Sequence, residues 1–460
     1  MRVAVVGGGI SGLTAAYRLK QRGHDVTVFE GSARAGGILG TQLRDGYVIE
    51  TGPDSILSEK PWALALAEEL GLGGEIIKTR ASPRGAYVVN HGRLERVPEG
   101  FSLMAPTDFT EMAHSPLVST SGKLRMALDL ALPRGAMGAD ESLESFVVRR
   151  LGRETFDRLA QPLVGGIYGA DPALLSLRAT MPRFLELEDK QRSVILGLRE
   201  RQKAALERSA GPASGARYGL FAAFRQGMQA LIDALVNQLD GSLETHSLVT
   251  AIERDKDGFA LEVRGASLGG FNAVVLALPS YVAGGLVRPL DHELARELEA
   301  IPYGSAATVT FALRRDQITH PMDAFGFVVP AIERRGIIAS TWASIKWEGR
   351  APEGKALIRV FIGGYQGQHL LERSDDELVT LARRELVDLM GMRGEPEITL
   401  VARYHKAMPQ YHVGHLARVA RIEALAKKHT RFALAGNAYR GVGIPDAVKS
   451  GEEAARTIAG

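Results

Sequence analysis

Cysteine is absent from all 460 residues. That excludes disulfides, thiolate metal sites, cysteine nucleophiles and any cofactor tethered through a thioether, so redox chemistry has to be borrowed from a bound group. Long apolar runs are missing too, with no stretch approaching the roughly 20 residues that a membrane-spanning helix needs. Charge of one sign is scarce: 56 Lys and Arg stand against 53 Asp and Glu. A net +3 spread over so large a chain argues against a nucleic-acid partner. The opening runs from Met1 and Arg2 through Val3–Val6 straight into Gly7, without the charged region, apolar region and cleavage site of a secretory signal. A leaderless, cytoplasmic protein is expected. Hydrophobic residues at 45% and charged residues at 24% are those of a globular chain with core enough for two or three domains.

What is present begins with MRVAVVGGGISGLTAAYRLKQRGHDVTVFE. Val3–Val6 predicts a short buried strand. Gly7, Gly9 and Gly12 then form G-x-G-x-x-G, with Gly8, Ile10 and Ser11 between them, at the mouth of an alanine- and leucine-rich helix that ends at Gly23. His24–Phe29 predicts a second strand, and Glu30 stands at its end, 18 residues after Gly12. The first glycine permits a tight turn, the second lets backbone approach a pyrophosphate, and the third lets helix and strand pack closely. The helix N-terminus offers free N–H groups and the positive end of its dipole to the phosphates. An acid at about this spacing accepts hydrogen bonds from a ribose. Alone, the glycines would mark any glycine-rich turn; strand, glycines, helix, strand and acid in this order point to a dinucleotide.

Two more glycine-rich units follow. Gly31–Thr41 reads GSARAGGILGT, where Arg34, Gly36 and Gly37 make R-x-G-G directly after the acid, at a point where an NAD domain would run on into another crossover helix. Near the far end, FALAGNAYRGVGIPDAVKSGEEAA (residues 432–455) predicts a strand, a loop and a helix with Pro445 and Asp446 in its first turn. An ordinary strand, loop and helix closing a sheet would read the same way. LETHSLVTA (243–251), Phe259–Val263 and NAVVLALP (272–279) predict further strands.

The R-x-G-G unit is similar to the second glycine motif of flavin oxidases related to monoamine oxidase. GPDSI (52–56), QPLVGGIYGADP (161–172), SLRATMPRF (176–184), FGFVVP (325–330), AMPQYHVGH (407–415) and GNAYRGVGIPDA (436–447) extend the likeness. Over nearly its full length the chain resembles the protoporphyrinogen and coproporphyrinogen oxidases. The resemblance implies FAD, contacted by Gly7, Gly8, Gly9, Ile10, Ser11, Gly12, Glu30, Gly31, Arg34, Gly36 and Gly37. It also implies contacts from Gly52, Pro53, Asp54, Ser55, Tyr404, Gly436, Gly443, Ile444 and Pro445, and a backbone contact to adenine at Val249, a residue equally at home as a plain strand position. Tyr404 stands where the family usually carries tryptophan, four residues before Met408. For the substrate, Arg84 corresponds to an arginine that holds a propionate, Gly166 supplies pocket backbone and Tyr168 touches the ring. Phe325, Phe327 and Val329 would line a flat apolar cavity, although any half-buried strand shows the same alternation. No dedicated acid or base is implied.

The implied fold is α/β: a discontinuous Rossmann-type FAD domain (1–90, 225–285, 400–460), an inserted mainly helical domain (91–224) and an α+β substrate domain (286–399). In the helical part, Leu143, Phe146, Val147, Leu151, Phe156 and Leu159 fall at helical steps, and Gly211–Gly215 predicts a flexible loop. The implied reaction is oxygen-dependent oxidation of a porphyrinogen in haem synthesis, with hydrogen peroxide released and the next enzyme of the pathway as a further partner. Arg84, without a second cation cluster beside it in sequence, favours protoporphyrinogen IX, with coproporphyrinogen III accepted. An amine oxidase, a carotenoid desaturase or a non-enzymatic flavin scaffold are the competing readings. Residues 183–217 carry eight Lys or Arg against five Asp or Glu, with Val194, Ile195, Leu196 and Leu198 among them, a pattern that suits either a solvated helix or one resting on the inner face of the cell membrane. His405, His412 and His415 lack carboxylate or cysteine partners at ligand spacing, so no metal is expected.

Overall fold

The computed structural model describes residues 1–135, 138, 140–208, 221–256 and 258–460, so the expected loop at Gly211–Gly215 lies outside the described residues. The N-terminal pattern folds as strand Arg2–Val6, helix Ile10–Gln21 and strand Asp25–Phe29. Both strands enter a five-stranded parallel sheet in the order Leu243–Glu244, Asp25–Phe29, Arg2–Val6, Ala273–Leu276, Phe432–Leu434. Val3, Ala4 and Val5 are fully buried because both faces of this sheet are covered, which is why the strand reads as an unbroken apolar run. Val3 and Val5 pack with the first helix and the last, Ile444–Ala459. Ala4 and Val6 pack against a three-stranded antiparallel sheet, Val249–Asp255, Gly258–Val263 and Ala266–Phe271.

A seven-stranded sheet forms the second body. Its order is Ile398–Pro409, Tyr303–Arg314, Lys355–Gly363, Ala339–Trp342, Gly326–Val328, Tyr87–Asn90, Arg93–Arg96. Only the contact of Gly326–Val328 with Tyr87–Asn90 is parallel. Tyr87–Asn90, at the end of the expected segment 1–90, and Ile398–Pro409, which spans the expected boundary at 400, find their ladder partners in this sheet. Helix Asp375–Met390 covers one face, its start set by a capping box between Ser374 and Glu377 and its end by Gly391 at φ +63. Leu378, Leu381 and Leu386 pack there with Val309, Phe311 and Ile358.

The stretch expected to be mainly helical carries helices Thr120–Ala127, Leu143–Leu151, Gln161–Tyr168, Pro182–Gln191 and Val194–Arg208, together with short strands at Phe101–Ser102, Ala105–Pro106 and Phe221–Phe224. All six apolar residues at helical steps are in its core. So are Val194, Ile195 and Leu198, which leaves Leu196, 38% exposed, as the one outward-facing member of the apolar group considered for a membrane surface. The helices are tied by a buried ion pair: Arg150 reaches Asp129 at 2.5 Å, and Asp129 also accepts from Ser193 Oγ and the Ile195 N–H. Among the described residues, no helix is long and apolar enough to cross a membrane.

Candidate cofactor and substrate site

The glycines of the first turn divide by what surrounds them. Gly7 has φ +106, and a Cβ on Gly12 would lie 1.9 Å from the Gly7 carbonyl oxygen, so these two serve the turn and the close approach of helix to strand. Gly9 has an ordinary φ of −73°, yet a Cβ there would meet no protein atom within 4 Å. The helix begins just after it with no side-chain cap and no acid in its first turn. Bare N–H groups beside open space are the cradle a diphosphate requires, so the residues present fit a dinucleotide such as FAD. Glu30 closes the turn, Oε2 accepting from the Gly8 N–H and Oε1 from the Ser32 N–H, each at 2.8 Å. Each carboxylate oxygen keeps further lone-pair capacity for a ribose hydroxyl. The Ser11 hydroxyl is spent elsewhere, donating to the Ala447 carbonyl of the last helix at 2.8 Å.

The second glycine unit lies on the first, with Gly36 bridging to Gly9. Gly36 and Gly37 have φ +110 and +58. Arg34 shapes this loop: its guanidinium donates to the carbonyls of Ala35, Leu39 and Gly37 and to Gln229. The segment leading to Val249 reaches the same end of the sheet, since the Ser247 N–H donates to Glu30 O and the His246 N–H to Ser32 O. Gly31 sits against Leu248. Val249 itself is buried and paired with Val263.

Farther along, Gly52 is required by packing, because a Cβ would lie 1.7 Å from the Ile38 carbonyl oxygen. It delivers Pro53, Asp54 and Ser55 to a cluster that the sequence did not reveal. Lys346 donates to Ser55 Oγ at 2.6 Å and to Asp54 Oδ1 at 3.2 Å. Burial alone would raise the Asp54 carboxyl, but Lys346 and Arg359 outweigh it and hold it down to about 2. Lys346 had no signal in its neighbours; Arg359 had one, as a charged residue inside the apolar run ALIRVFIGG.

The C-terminal loop is built by the MPQYHVGH residues. Tyr411 Oη donates to Asn437 O at 2.5 Å and accepts from the Gly441 N–H at 2.8 Å, and its ring stacks on His415 with centroids 3.9 Å apart. His415 Nε2 meets Tyr439 O at 2.9 Å, and burial pushes this imidazole down to about 4. The Gly436 N–H donates to Ser450 Oγ. Gly443 precedes the last helix, whose first turn holds Ile444, Pro445 and Asp446; both Asp446 oxygens meet Lys60 Nζ at 2.7 Å.

Between these parts lies a cavity of about 610 Å³. Gly52–Ser55, Tyr404, Lys346 and Arg359 are among the residues that line it, together with Arg84, Gly166, Tyr168, Phe325 and Phe327. Tyr404 sits on the strand opposite Ala306, and burial raises its phenol. Tyr168 Oη donates to Thr180 O at 3.2 Å. Phe327, 1% exposed and edge-on to Trp342, belongs as much to the core as to the cavity. Arg96 also lines the chamber; its Nη2 donates to Arg84 O at 2.6 Å, and Nη1 pairs with Asp323 at 3.1 Å. Apolar walls with guanidinium groups at the edge suit a large flat ligand that carries carboxylates.

Residues 10–459 match the family of flavin containing amine oxidoreductases. The chain is 33% identical to the coproporphyrinogen III oxidase of Bacillus subtilis (strain 168), with 98% of this chain and 96% of that protein covered. It is 30% identical to the chloroplastic protoporphyrinogen oxidase of Nicotiana tabacum, with 99% and 85% covered. A crystal structure from Exiguobacterium sp. 255-15 superposes with a TM-score of 0.88 at 30% identity, covering 99% of this chain and 98% of that one.

Proposed function

Because the chain belongs to the flavin containing amine oxidoreductases and is an FAD-dependent oxidoreductase, we propose that it oxidises a porphyrinogen to the porphyrin in haem biosynthesis, coproporphyrinogen III first and protoporphyrinogen IX second. The observation that carries this reading is the single chamber that runs from the Gly52–Ser55 loop and Tyr404 to an edge bearing Arg84 and Arg96. Bound FAD supplies a two-electron acceptor that dioxygen returns to its oxidised form, so six electrons leave the substrate in three rounds and three dioxygen molecules become three hydrogen peroxide molecules. Gly9, Gly36 and Gly37 give the diphosphate its backbone cradle, Glu30 takes the ribose and the Val249 backbone the adenine. Tyr404 and the turn at Gly443–Pro445 hold the flavin end. Phe325 and Tyr168 flank the macrocycle and keep water from its bridges, while Arg84 fixes a propionate through a fork that matches a carboxylate.

The ranking of substrates rests on the cavity edge. Sequence neighbours offered Arg84 alone, which favoured the two-propionate compound. Arg96, held against the Arg84 carbonyl with its charge paired to Asp323, brings a second guanidinium to the cavity lining and supports a four-propionate substrate. The test is aerobic incubation of the yellow protein with each porphyrinogen while porphyrin fluorescence and peroxide are recorded. Turnover of both, faster with coproporphyrinogen III, is expected; failure to turn over either one overturns the function, and a strong preference for protoporphyrinogen IX overturns the ranking.

A further inference from the structure

A second cavity of about 560 Å³ adjoins the first. Gly166, Gly169, Ile338 and Gly364 line both chambers and form the partition between them. That partition is thin. Gly169 and Gly364 have φ +57 and +68, and a Cβ on Gly364 would already stand 3.6 Å from Ile338 and 3.7 Å from the Gly169 carbonyl oxygen. Larger residues would thicken the wall and strain both turns.

The far side of this chamber is cationic: Arg334, Arg335, Arg373 and Arg384 line it, and no Asp or Glu does. Arg335 is balanced by Glu385 at 2.7 Å and Asp388 at 2.6 Å. Arg384, exposed, lies 3.7 Å from the same Glu385, which is already engaged. Among the described residues, Arg334 and Arg373 make no close ion pair, although the Arg373 charge acts on the Glu377 carboxyl. Four guanidinium groups against the two carboxylates of Glu385 and Asp388 leave two positive charges in excess at a chamber whose other walls include apolar Val329, Ile337 and Leu370. Its volume lies within the usual range of small-molecule sites, and guanidinium forks match carboxylates in geometry as well as charge.

We propose that this chamber is a second binding site, taking the carboxylate-bearing porphyrin formed by the oxidation, with Arg334, Arg373 and Arg384 on its propionates. The inference rests on the porphyrinogen reading above. Planar, apolar and anionic, the product matches the second chamber's walls.

The experiment titrates FAD-loaded full-length protein with coproporphyrin III and counts bound porphyrin by equilibrium dialysis. Two porphyrins per chain are expected for the wild type. One is expected for the variant Arg334→Asn/Arg373→Gln/Arg384→Gln, whose second affinity should fall at least about tenfold, since each hydrogen bond to a charged group is worth at least that factor. A single site in the wild type, or two sites that the triple variant leaves equally tight, overturns the inference. Wild-type turnover of coproporphyrinogen III, measured alongside, separates the two claims: turnover with one porphyrin site sinks this inference alone, and no turnover sinks the function on which it rests.

Discussion

At Gly9 a Cβ would point into space free of protein atoms to 4 Å, whereas at Gly12 and Gly52 it would lie 1.9 and 1.7 Å from backbone oxygens. The first glycine keeps room for a ligand, and the other two keep room for the chain itself. Gly9→Val should therefore fold, with far-UV circular dichroism and apoprotein unfolding temperature near the wild type, and purify colourless. Flavin absorbance at the wild-type ratio in that variant would show that the diphosphate lies elsewhere. Arg84 makes a different kind of test, because it belongs to the substrate edge. Hydrogen bonds to charged groups contribute about 1.5 to 3 kcal/mol, so Arg84→Ala should lower kcat/KM for the porphyrinogen by roughly 10- to 150-fold while flavin content stays normal. Wild-type kcat/KM would remove Arg84 from the site.

Two elements carry the C-terminal part of the site, the loop after Phe432–Leu434 and the last helix. The helix seats on the first one through Gly451, where a Cβ would stand 2.3 Å from the Ser11 carbonyl oxygen. Gly451→Ala should push the helices apart, destabilise the apoprotein by about 1 to 3 kcal/mol and weaken FAD retention with it, measured by thermal unfolding with and without added FAD. An unchanged unfolding temperature would mean that the contact relaxes freely. The loop is held by the stack of Tyr411 on His415, whose imidazole titrates at about 4 in the fold against about 6.5 unfolded. The depressed value means that the unfolded chain binds the proton more readily. Stability from this group is complete above about pH 6.5 and is lost as pH falls toward 4, by an amount on the order of 3 kcal/mol. His415→Phe keeps a stacking ring without the titration, so its stability curve should be flatter than the wild type's across that window in denaturant melts. Parallel curves would refute the assignment.

For the whole molecule, the five-stranded sheet joins strands from near both ends of the chain and from its middle, so a cofactor on the sheet's edge bridges segments far apart in sequence. With no cysteine available for a thioether, FAD should be held without a covalent bond, and acid precipitation should send all the yellow colour to the supernatant. Colour in the pellet would contradict this. Binding to the native state alone should also raise the unfolding temperature in proportion to the logarithm of free FAD, about 2.7 kcal/mol at a hundredfold excess over Kd.

The sequence by itself determined what depends on neighbours along the chain. Strand, glycine turn, helix, strand and acid lie within the first thirty residues, so their order is legible, and strands covered on both faces announce themselves as apolar runs. The proline and acid that begin the last helix are local in the same way. Only the tertiary structure decided which surfaces meet. Lys346 reaches Asp54 across 292 positions, and no periodicity encodes that pairing. Arg96 reaches Arg84 because a hairpin register sets Arg96 opposite Tyr87, and a shift of one residue would send it to the other face. The three histidines near Met408 differ by what surrounds each ring, and His415 is spent on Tyr411 and a carbonyl. Val194, Ile195 and Leu198 look the same in sequence whether they face lipid or core, and they face the core. An apolar pattern says that a face is covered; the partner that covers it is set by packing and register between segments that sequence order leaves hundreds of residues apart.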